Sequence, residues 1–199
     1  AMKRNSKEAT MLSRHIGKDW RLNELDKVYL EKGFYPAKPS DQPEWVKEVG
    51  FGRQSVALTL ENCYDDWCMS ILAKELGKED DYKYYLNRAY NYRNVFDTKS
   101  GFMRPKTADG KWIEPFDPIW SGGQGGRDFY TENNGWNYTW YVLHDPQGLI
   151  NLMGGQEPFV AKLQQMFETN VPLYKKYDFL KQYPDMTGWI GMYSHGNEI

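Results

Sequence analysis

Cysteine and histidine are scarce in this sequence, and their scarcity excludes two classes of site. Cys63 and Cys68 are the only cysteines, and a separation of five residues in a helical pattern points them to different faces, which is unsuitable for a disulfide. We expect both to be buried thiols. There are three histidines, and the sequence contains neither a paired CxxC nor an HExxH spacing, so no zinc site is predicted. Any bound metal should therefore prefer oxygen ligands.

Blocks of basic residues and long apolar runs are also missing. The formal net charge is -2, with Lys and Arg scattered among acids, so the electrostatic footprint of a nucleic-acid-binding protein is absent. No apolar run approaches the roughly 20 residues that span a bilayer, and no signal peptide heads the chain. Ala1-Met2 resembles a cloning remnant, so an export signal upstream is not excluded. The sequence therefore predicts one domain over residues 1–199, with no nucleic-acid partner and no membrane span.

Aromatic residues, in contrast, are abundant. They make up 16% of the chain, with 8 Trp and 15 Tyr, and many stand beside Asp, Asn, Glu or Gln. Sugar-binding clefts need such mixtures, because flat rings cover the apolar side of a sugar while carboxylates and amides bind its hydroxyls. Core packing is the alternative, and it accounts for about half of these residues because aromatic side chains dominate core energetics.

The first half of the chain has the apolar spacing of helices. We expect a helix over about 7–32, interrupted near Gly17, and then a loop that contains three prolines up to Gly52. A long helix follows, capped by Ser55 and ending near Gly77. Its apolar stripe consists of Val56, Leu60, Cys63, Trp67 and Ile71. A parallel polar stripe, expected to line a wet cavity, consists of Thr59, Asn62, Asp66 and Ser70.

Hairpins of helices are predicted for the rest of the chain. Asp80 is expected to cap a helix that folds back on the one before it, and Asp109-Gly110 to form a β-hairpin turn between residues 102–104 and 111–113. The glycine run at 122–126 indicates a loop, since no strand of a βαβ unit precedes it. Three further helices are expected to begin at Asn133 or Asn134, at Asp145-Pro146 and at Glu157-Pro158, with loops and one short helix around 175–182 after Thr169. The predicted fold class is mainly all-α, an α/α toroid or part of one, built from helical hairpins with one small β-hairpin excursion.

Eight ordered motifs resemble glycoside hydrolase family 92 over roughly residues 33–198. They are Ser55-Val56-Ala57-Leu58-Thr59-Leu60-Glu61 with Tyr64-Asp65-Asp66-Trp67, Gly101-Phe102-Met103-Arg104-Pro105, Glu114-Pro115-Phe116-Asp117-Pro118, Tyr130-Thr131-Glu132, Trp136-Asn137-Tyr138-Thr139-Trp140, His144-Asp145, Leu152-Met153-Gly154-Gly155 and His195-Gly196-Asn197-Glu198. The resemblance implies a calcium-dependent, exo-acting α-mannosidase that inverts the anomeric centre. It also implies an N-terminal β-sandwich followed by an (α/α)6 toroid, of which this chain resembles a central stretch.

The resemblance assigns Glu132 as the general acid. An inverting hydrolase needs one protonated carboxyl at the glycosidic oxygen and a separate carboxylate that activates water, about 6.5–9.5 Å apart. The family's base carboxylates lie beyond the end of this chain, so we expect the 199 residues alone to be inactive. The family pattern commonly has Gly, Ala and Gln where this chain has Asn133, Gly135 and Asn137.

Calcium and substrate residues follow from the same resemblance. Asn197 and Glu198 resemble the segment that supplies calcium ligands, and both offer the oxygen donors that Ca²⁺ selects. The family pattern usually continues with proline and two histidines, whereas this chain ends at Ile199. The expected partners are a mannose-containing oligosaccharide, with α-1,2 linkages favoured, the remainder of the catalytic domain and the β-sandwich, in a secreted, periplasmic or cell-surface protein. The residues expected to bind substrate are Asp65, Asp66, Arg104 and Trp136. For Asp65 and Asp66, holding the inner wall of the toroid is an equal alternative.

Two other function classes remain open at this point. The chain could be a helical carbohydrate-binding or structural module that has lost catalysis. It could also belong to another toroid enzyme such as a lyase, which predicts Tyr or His as the base, although the ordered motifs argue against that reading.

Overall fold

The computed structural model describes residues 2–9, 24–39, 41–46, 51–119, 129–131, 133–168, 170–171 and 188–189. The chain is mainly helical, as predicted. Seven α-helices lie in the described part: α1 Met2–Glu8, α2 Glu24–Lys32, α3 Ser55–Glu75, α4 Glu79–Ala89, α5 Gly135–Tyr138, α6 Pro146–Leu152 and α7 Gln156–Glu168. Three antiparallel pairs of two-residue strands join them: β1 Trp45–Val46 with β2 Phe51–Gly52, β3 Phe96–Asp97 with β4 Phe102–Met103, and β5 Asn170–Val171 with β6 Gly188–Trp189.

The long helix α3 forms the centre of the core. Val56, Leu60 and Cys63 of its apolar stripe are fully buried, and burying a side chain such as Leu60 contributes about 1.5–3 kcal/mol. The stripe ends earlier than predicted, since Ile71 is 41% exposed. The prediction for Cys68 was wrong, because this thiol is exposed while Cys63 is buried. Both are free, as expected.

Capping at the start of α3 also differs from the prediction. Ser55 is the first helical residue, and the cap position belongs to Gln54, which has φ 51° and makes no side-chain cap. The backbone N–H groups of Val56 and Ala57 donate instead to the carbonyl of Phe129, at 3.0 and 3.2 Å. A distant segment therefore replaces the local cap, which sequence spacing does not reveal.

Helices α3 and α4 form the predicted hairpin. Gly77 has φ 63°, a left-handed conformation that suits glycine, and it allows the chain to turn after α3. Asp80 does not cap α4 as predicted; Lys78 occupies the cap position, and Asp80 lies in the first helical turn. The α4 face continues through a 3₁₀ turn, Tyr90–Asn94, whose Tyr92 is fully buried.

The polar stripe of α3, predicted to line a wet cavity, is held by hydrogen bonds in the part of the chain that the structure describes. Asp66 is bound by the side chains of Arg88 and Tyr29. Thr59 donates to the carbonyl of Ser55, and Asn62 to that of Leu58. The space beside the stripe is a cavity of about 30 Å³, roughly enough for one or two water molecules. Asp66 therefore joins the stripe to α2 and α4, whereas Thr59 and Asn62 bond to carbonyls of α3 itself.

The β excursion is arranged differently from the predicted hairpin. Phe102 and Met103 pair with the earlier strand β3, in the register Phe96 with Met103. At the Asp109-Gly110 turn a single bridge joins Lys106 and Trp112, and Gly110 has φ 87°. The turn was therefore predicted correctly, whereas the strand partner of residues 102–103 was not.

The helices after the excursion begin close to the predicted positions. Asn134 caps α5 and Asp145 caps α6, whose first residue is Pro146. Helix α7 begins at Gln156, and of its predicted apolar face only Met166 is buried, whereas Val160 and Phe167 are 43% and 51% exposed. The glycine loop at 122–126 and the predicted short helix at 175–182 lie outside the described residues. None of the described helices is long and apolar enough to cross a membrane.

Candidate functional site

The predicted acid Glu132 lies outside the described residues, and the residues on either side of it are held firmly. Thr131 donates from its hydroxyl to the side-chain carbonyl of Gln54, at 3.1 Å. Phe129 is buried and accepts the first N–H groups of α3, as described above. Asn133, on the other side, is 5% exposed. The segment predicted to carry the acid is therefore attached to the N-terminus of the central helix.

Asn134 fixes the start of α5 immediately after this segment. Its side chain is fully buried, and its Oδ1 accepts the backbone N–H groups of Trp136 and Asn137, at 3.0 and 3.2 Å. Such a cap satisfies donors that the helix start leaves unpaired. The predicted cap is confirmed, and it determines where the backbone enters α5 from residue 132.

Tyr130 packs beneath the same turn. Its hydroxyl donates to the carbonyl of Met103 at 2.7 Å, and complete burial raises the pKa of this phenol, which therefore stays neutral. A Cβ atom added at Gly135 would lie 2.9 Å from the Tyr130 hydroxyl and 3.2 Å from the carbonyl of Pro118. Glycine at 135, where the family pattern commonly has alanine, therefore matches the close packing at this position.

Trp136, predicted to bind substrate, lies in a cluster that we call the aromatic wall, formed by the rings of Phe102, Phe116 and Trp136. The Trp136 ring meets Phe102 edge-on at 4.8 Å between centroids, and Phe102 meets Phe116 at 6.0 Å. Trp136 is 5% exposed in the described part of the chain. Its indole therefore contributes mainly to the wall in this arrangement, and substrate contact by Trp136 stays a prediction.

Arg104, the second predicted substrate residue, is bound to two carboxylates behind the wall. Its guanidinium donates to Asp97 at 2.8 Å and to Glu114 at 2.6 Å, and it lies 4.6 Å from the Phe116 centroid. Burial acts to raise the pKa of Asp97, but the hydrogen bonds from Arg104, Ser100 and the Lys99 backbone together with the Arg104 charge hold that pKa below its usual value. Arg104, Glu114 and Trp112 also line an open cavity of about 480 Å³.

The remaining predicted substrate residues lie on α3. Asp66 is 3% exposed and accepts from Arg88 at 2.8 Å, and burial raises the pKa of this carboxyl to about 6 although Arg88 opposes the shift. Asp65 lies next to it on the exposed side of the helix. The described contacts of Asp66 run to α2 and α4, so they do not join it to the aromatic wall. Arg104 and Trp136 do meet there, through Phe116 and Phe102.

The predicted calcium ligands Asn197 and Glu198 lie outside the described residues. Within the described ranges, no group of three His, Cys, Asp or Glu side chains is placed to hold a metal ion. The calcium assignment therefore stays a prediction.

Sequence reasoning missed Lys162 on α7. Its ammonium lies 3.4 Å from the Phe102 centroid and 4.8 Å from that of Trp136, and burial lowers the pKa of Lys162 to about 8. The signal was its position, three residues after Phe159 and four before Met166, which places a lysine on the apolar face of the helix.

Comparison with known proteins gives the same family for the sequence and for the structure. The family model of the glycosyl hydrolase family 92 catalytic domain matches residues 1–199. An uncharacterized secreted glycosidase of Arthroderma benhamiae is 31% identical over 161 residues, covering 70% of this chain and 20% of that protein. Among solved structures, a family 92 inverting mannosidase from Bacteroides thetaiotaomicron is 35% identical with a TM-score of 0.65, covering 84% of this chain and 20% of its own.

A second structure, a family 92 alpha-mannosidase from the same bacterium, is 37% identical with a TM-score of 0.62, over 76% of this chain and 18% of its own. The chain thus spans about a fifth of the length of the relatives it matches. Because the family model covers all 199 residues, this chain belongs to glycosyl hydrolase family 92.

Proposed function

We propose that this chain is part of an inverting, exo-acting α-mannosidase that depends on calcium and favours α-1,2 linkages. The observation that carries the proposal is the family match over the full chain, together with two mannosidase structures at 35% and 37% identity. In this proposal the chain is a central part of an (α/α)6 toroid, and the α3–α4 hairpin is one of its repeating units. The remaining toroid and an N-terminal β-sandwich complete a secreted, periplasmic or cell-surface enzyme.

Glu132 is assigned as the general acid of the reaction. Its carboxyl would protonate the glycosidic oxygen as the bond to the leaving sugar breaks, and a carboxylate elsewhere in the full protein would activate the attacking water. The surrounding contacts support this assignment, because the Phe129 carbonyl, the Thr131 hydroxyl and the Asn134 cap fix the backbone on both sides of residue 132. A fixed backbone keeps the acid aligned with the bond that it protonates.

Asn197 and Glu198 are assigned to the calcium site. An amide carbonyl and a carboxylate are oxygen donors of the type that Ca²⁺ binds, so the donor set fits the ion. When bound, the cation would hold vicinal hydroxyls of the sugar and stabilise charge in the transition state. Arg104 and Trp136 are assigned to substrate binding through the aromatic wall. Asp65, on the exposed side of α3, is a more accessible candidate than Asp66, whose carboxylate is bound by Arg88.

The test is hydrolysis of α-1,2-mannobiose by the full-length protein, followed by nuclear magnetic resonance. We expect calcium-dependent release of mannose, with the β-anomer appearing first because the enzyme inverts, and loss of activity with a chelator. Glu132→Gln should lower kcat by about 10²–10⁴-fold, the usual contribution of general acid catalysis. Glu157→Gln, an exposed glutamate at the start of α7, is the matched control and should leave kcat unchanged.

Two results would contradict the proposal. Unchanged activity in Glu132→Gln would remove the assigned acid, and mannose binding without turnover by the wild-type protein would favour a non-catalytic carbohydrate-binding module. The 199-residue chain alone is expected to be inactive, so efficient calcium-dependent turnover by it would refute the assignment of the base to another part of the protein.

A further inference from the structure

An open cavity lies beside α7, on the outer side of the aromatic wall. Its volume is about 440 Å³, within the roughly 300–1,000 Å³ range of small-molecule sites. Polar and charged groups come from the turn between β3 and β4 and from α7, and Met153 and Pro158 supply apolar contacts. The groups from the turn and the helix are Thr98, Lys99, Ser100, Lys162 and Gln165.

Lys162 is the most unusual group in this cavity. The rings of Phe102 and Trp136 lie beside its ammonium, and Gly101 approaches so closely that an added Cβ would be 3.3 Å from Nζ. Aromatic rings attract a cation but carry no net charge, so they leave the ammonium unneutralised. Burial lowers the pKa of Lys162, and no carboxylate in the described part of the chain is paired with it.

The charged residues that line the described part of this cavity are all basic. Among the described residues that line it, Lys99 and Lys162 are the titratable groups, and none is acidic. The nearest acid along the chain, Asp97, lies on the other side of the turn and is already paired with Arg104 at 2.8 Å. An incoming anion would therefore meet the ammonium groups of Lys99 and Lys162 and the hydroxyl of Thr98, whereas Ser100 acts on Asp97.

We propose that this cavity is a binding site for a small anionic ligand whose carboxylate or phosphate pairs with Lys162 over the aromatic wall. A half-buried ammonium gains more from an ion pair than an exposed one, because the surrounding dielectric is lower. Thr98 can donate a hydroxyl hydrogen bond to the same anion, and the apolar residues can contact the body of the ligand. The proposal rests on the contacts of Lys162 and not on the proposed hydrolysis, and its test does not depend on turnover.

Glucuronate and glucose are the matched probes, since they share a ring and differ in the carboxylate at C6. Calorimetry with the full-length protein should give at least tenfold tighter binding of glucuronate. Lys162→Met should abolish this preference, whereas Lys162→Arg should keep it within about threefold because the charge remains. Lys83→Met, which removes an exposed lysine paired with Glu79 on α4, is the control and should change nothing.

Inorganic phosphate distinguishes the two sources of the anion. If phosphate displaces glucuronate with equal affinity, a free anion is the ligand; if glucuronate binds more tightly, an acidic sugar is. Either result supports the site. Equal binding of glucuronate and glucose would overturn it, as would a preference for glucuronate that persists in a folded Lys162→Met variant.

A measurement on the unmodified protein covers the case in which the variant fails to fold. Because burial places the pKa of Lys162 at about 8, the affinity for glucuronate should fall by more than about tenfold between pH 7 and pH 9.5. Glucose affinity should not change, and Lys99→Met should retain the pH dependence. Binding of glucuronate that is independent of pH over this range would exclude Lys162 as the anion's partner.

Discussion

The α3–α4 hairpin and the aromatic wall each hold a cation away from bulk water, Arg88 in the first and Lys162 in the second. Arg88 has a buried carboxylate at 2.8 Å and a tyrosine hydroxyl at 2.9 Å. Among the described residues, Lys162 has the rings of Phe102 and Trp136 beside its ammonium and no paired carboxylate. The comparison indicates which region has spare binding capacity: the hairpin pairs its buried cation with a protein carboxylate, whereas the wall leaves a charge available to a ligand.

The largest expected effect comes from removing Arg88, the cation of the α3–α4 hairpin. Arg88→Met should lower the free energy of unfolding by about 3–5 kcal/mol at pH 8, because it leaves Asp66 buried without its partner. The folded-state pKa of Asp66 is already raised to about 6 by burial, and removal of Arg88, which lowers it, should raise it further. A carboxyl whose pKa is raised on folding costs stability as pH rises through that pKa. The loss should therefore be smaller at pH 5 than at pH 8.

Denaturant unfolding at the two pH values measures this effect. Lys83→Met is again the control, since its exposed pair with Glu79 contributes about 0.5 kcal/mol or less. A loss as small as that of the control would mean that the Asp66–Arg88 pair does not stabilise the hairpin.

Features of the fold that depend on local chemistry were predictable from the sequence. The caps at Asn134 and Asp145 and the glycine at 77 each act within a few residues, and all three were found where the pattern indicated them. Long-range partners were not predictable. The spacing of the polar stripe on α3 does not reveal that Arg88, 22 residues after Asp66, binds its carboxylate.

The candidate site shows the same division. Residue types and motif order predict an acid at Glu132, and that assignment stays a prediction, whereas the packing of Lys162 against Phe102, 60 positions earlier in the chain, required the fold. Ser55 was predicted as a cap from its residue type, yet the carbonyl of Phe129 takes that role. Contacts between distant segments are therefore the part of the site that the sequence alone did not supply.

The next effect in size tests whether the cap of α5, next to the aromatic wall, positions the proposed acid Glu132. Asn134→Ala should cost about 1–2 kcal/mol of stability through loss of the α5 cap, and it should also lower kcat because this cap fixes the backbone two residues after Glu132. Asp145→Ala removes the α6 cap and is the matched control, with a comparable loss of stability. Activity assays below the unfolding temperature separate a loss of kcat from a loss of stability. Equal kcat in both variants would contradict a role for Asn134 in positioning the acid.

The smallest expected effect concerns Lys162 itself and bears most directly on the comparison. Its pKa is lowered by burial to about 8, so folding disfavours the charged form, and stability is lost as pH falls through that value. Lys162→Met removes this cost together with cation–π attraction of about 0.5–1 kcal/mol, and solvent screening of a half-buried group reduces both. We therefore expect a change in unfolding free energy within about 1 kcal/mol at pH 7, and the pH dependence between pH 7 and 10 should weaken. A loss near 3 kcal/mol, as in Arg88→Met, would mean that the wall depends on its lysine as the hairpin depends on its arginine.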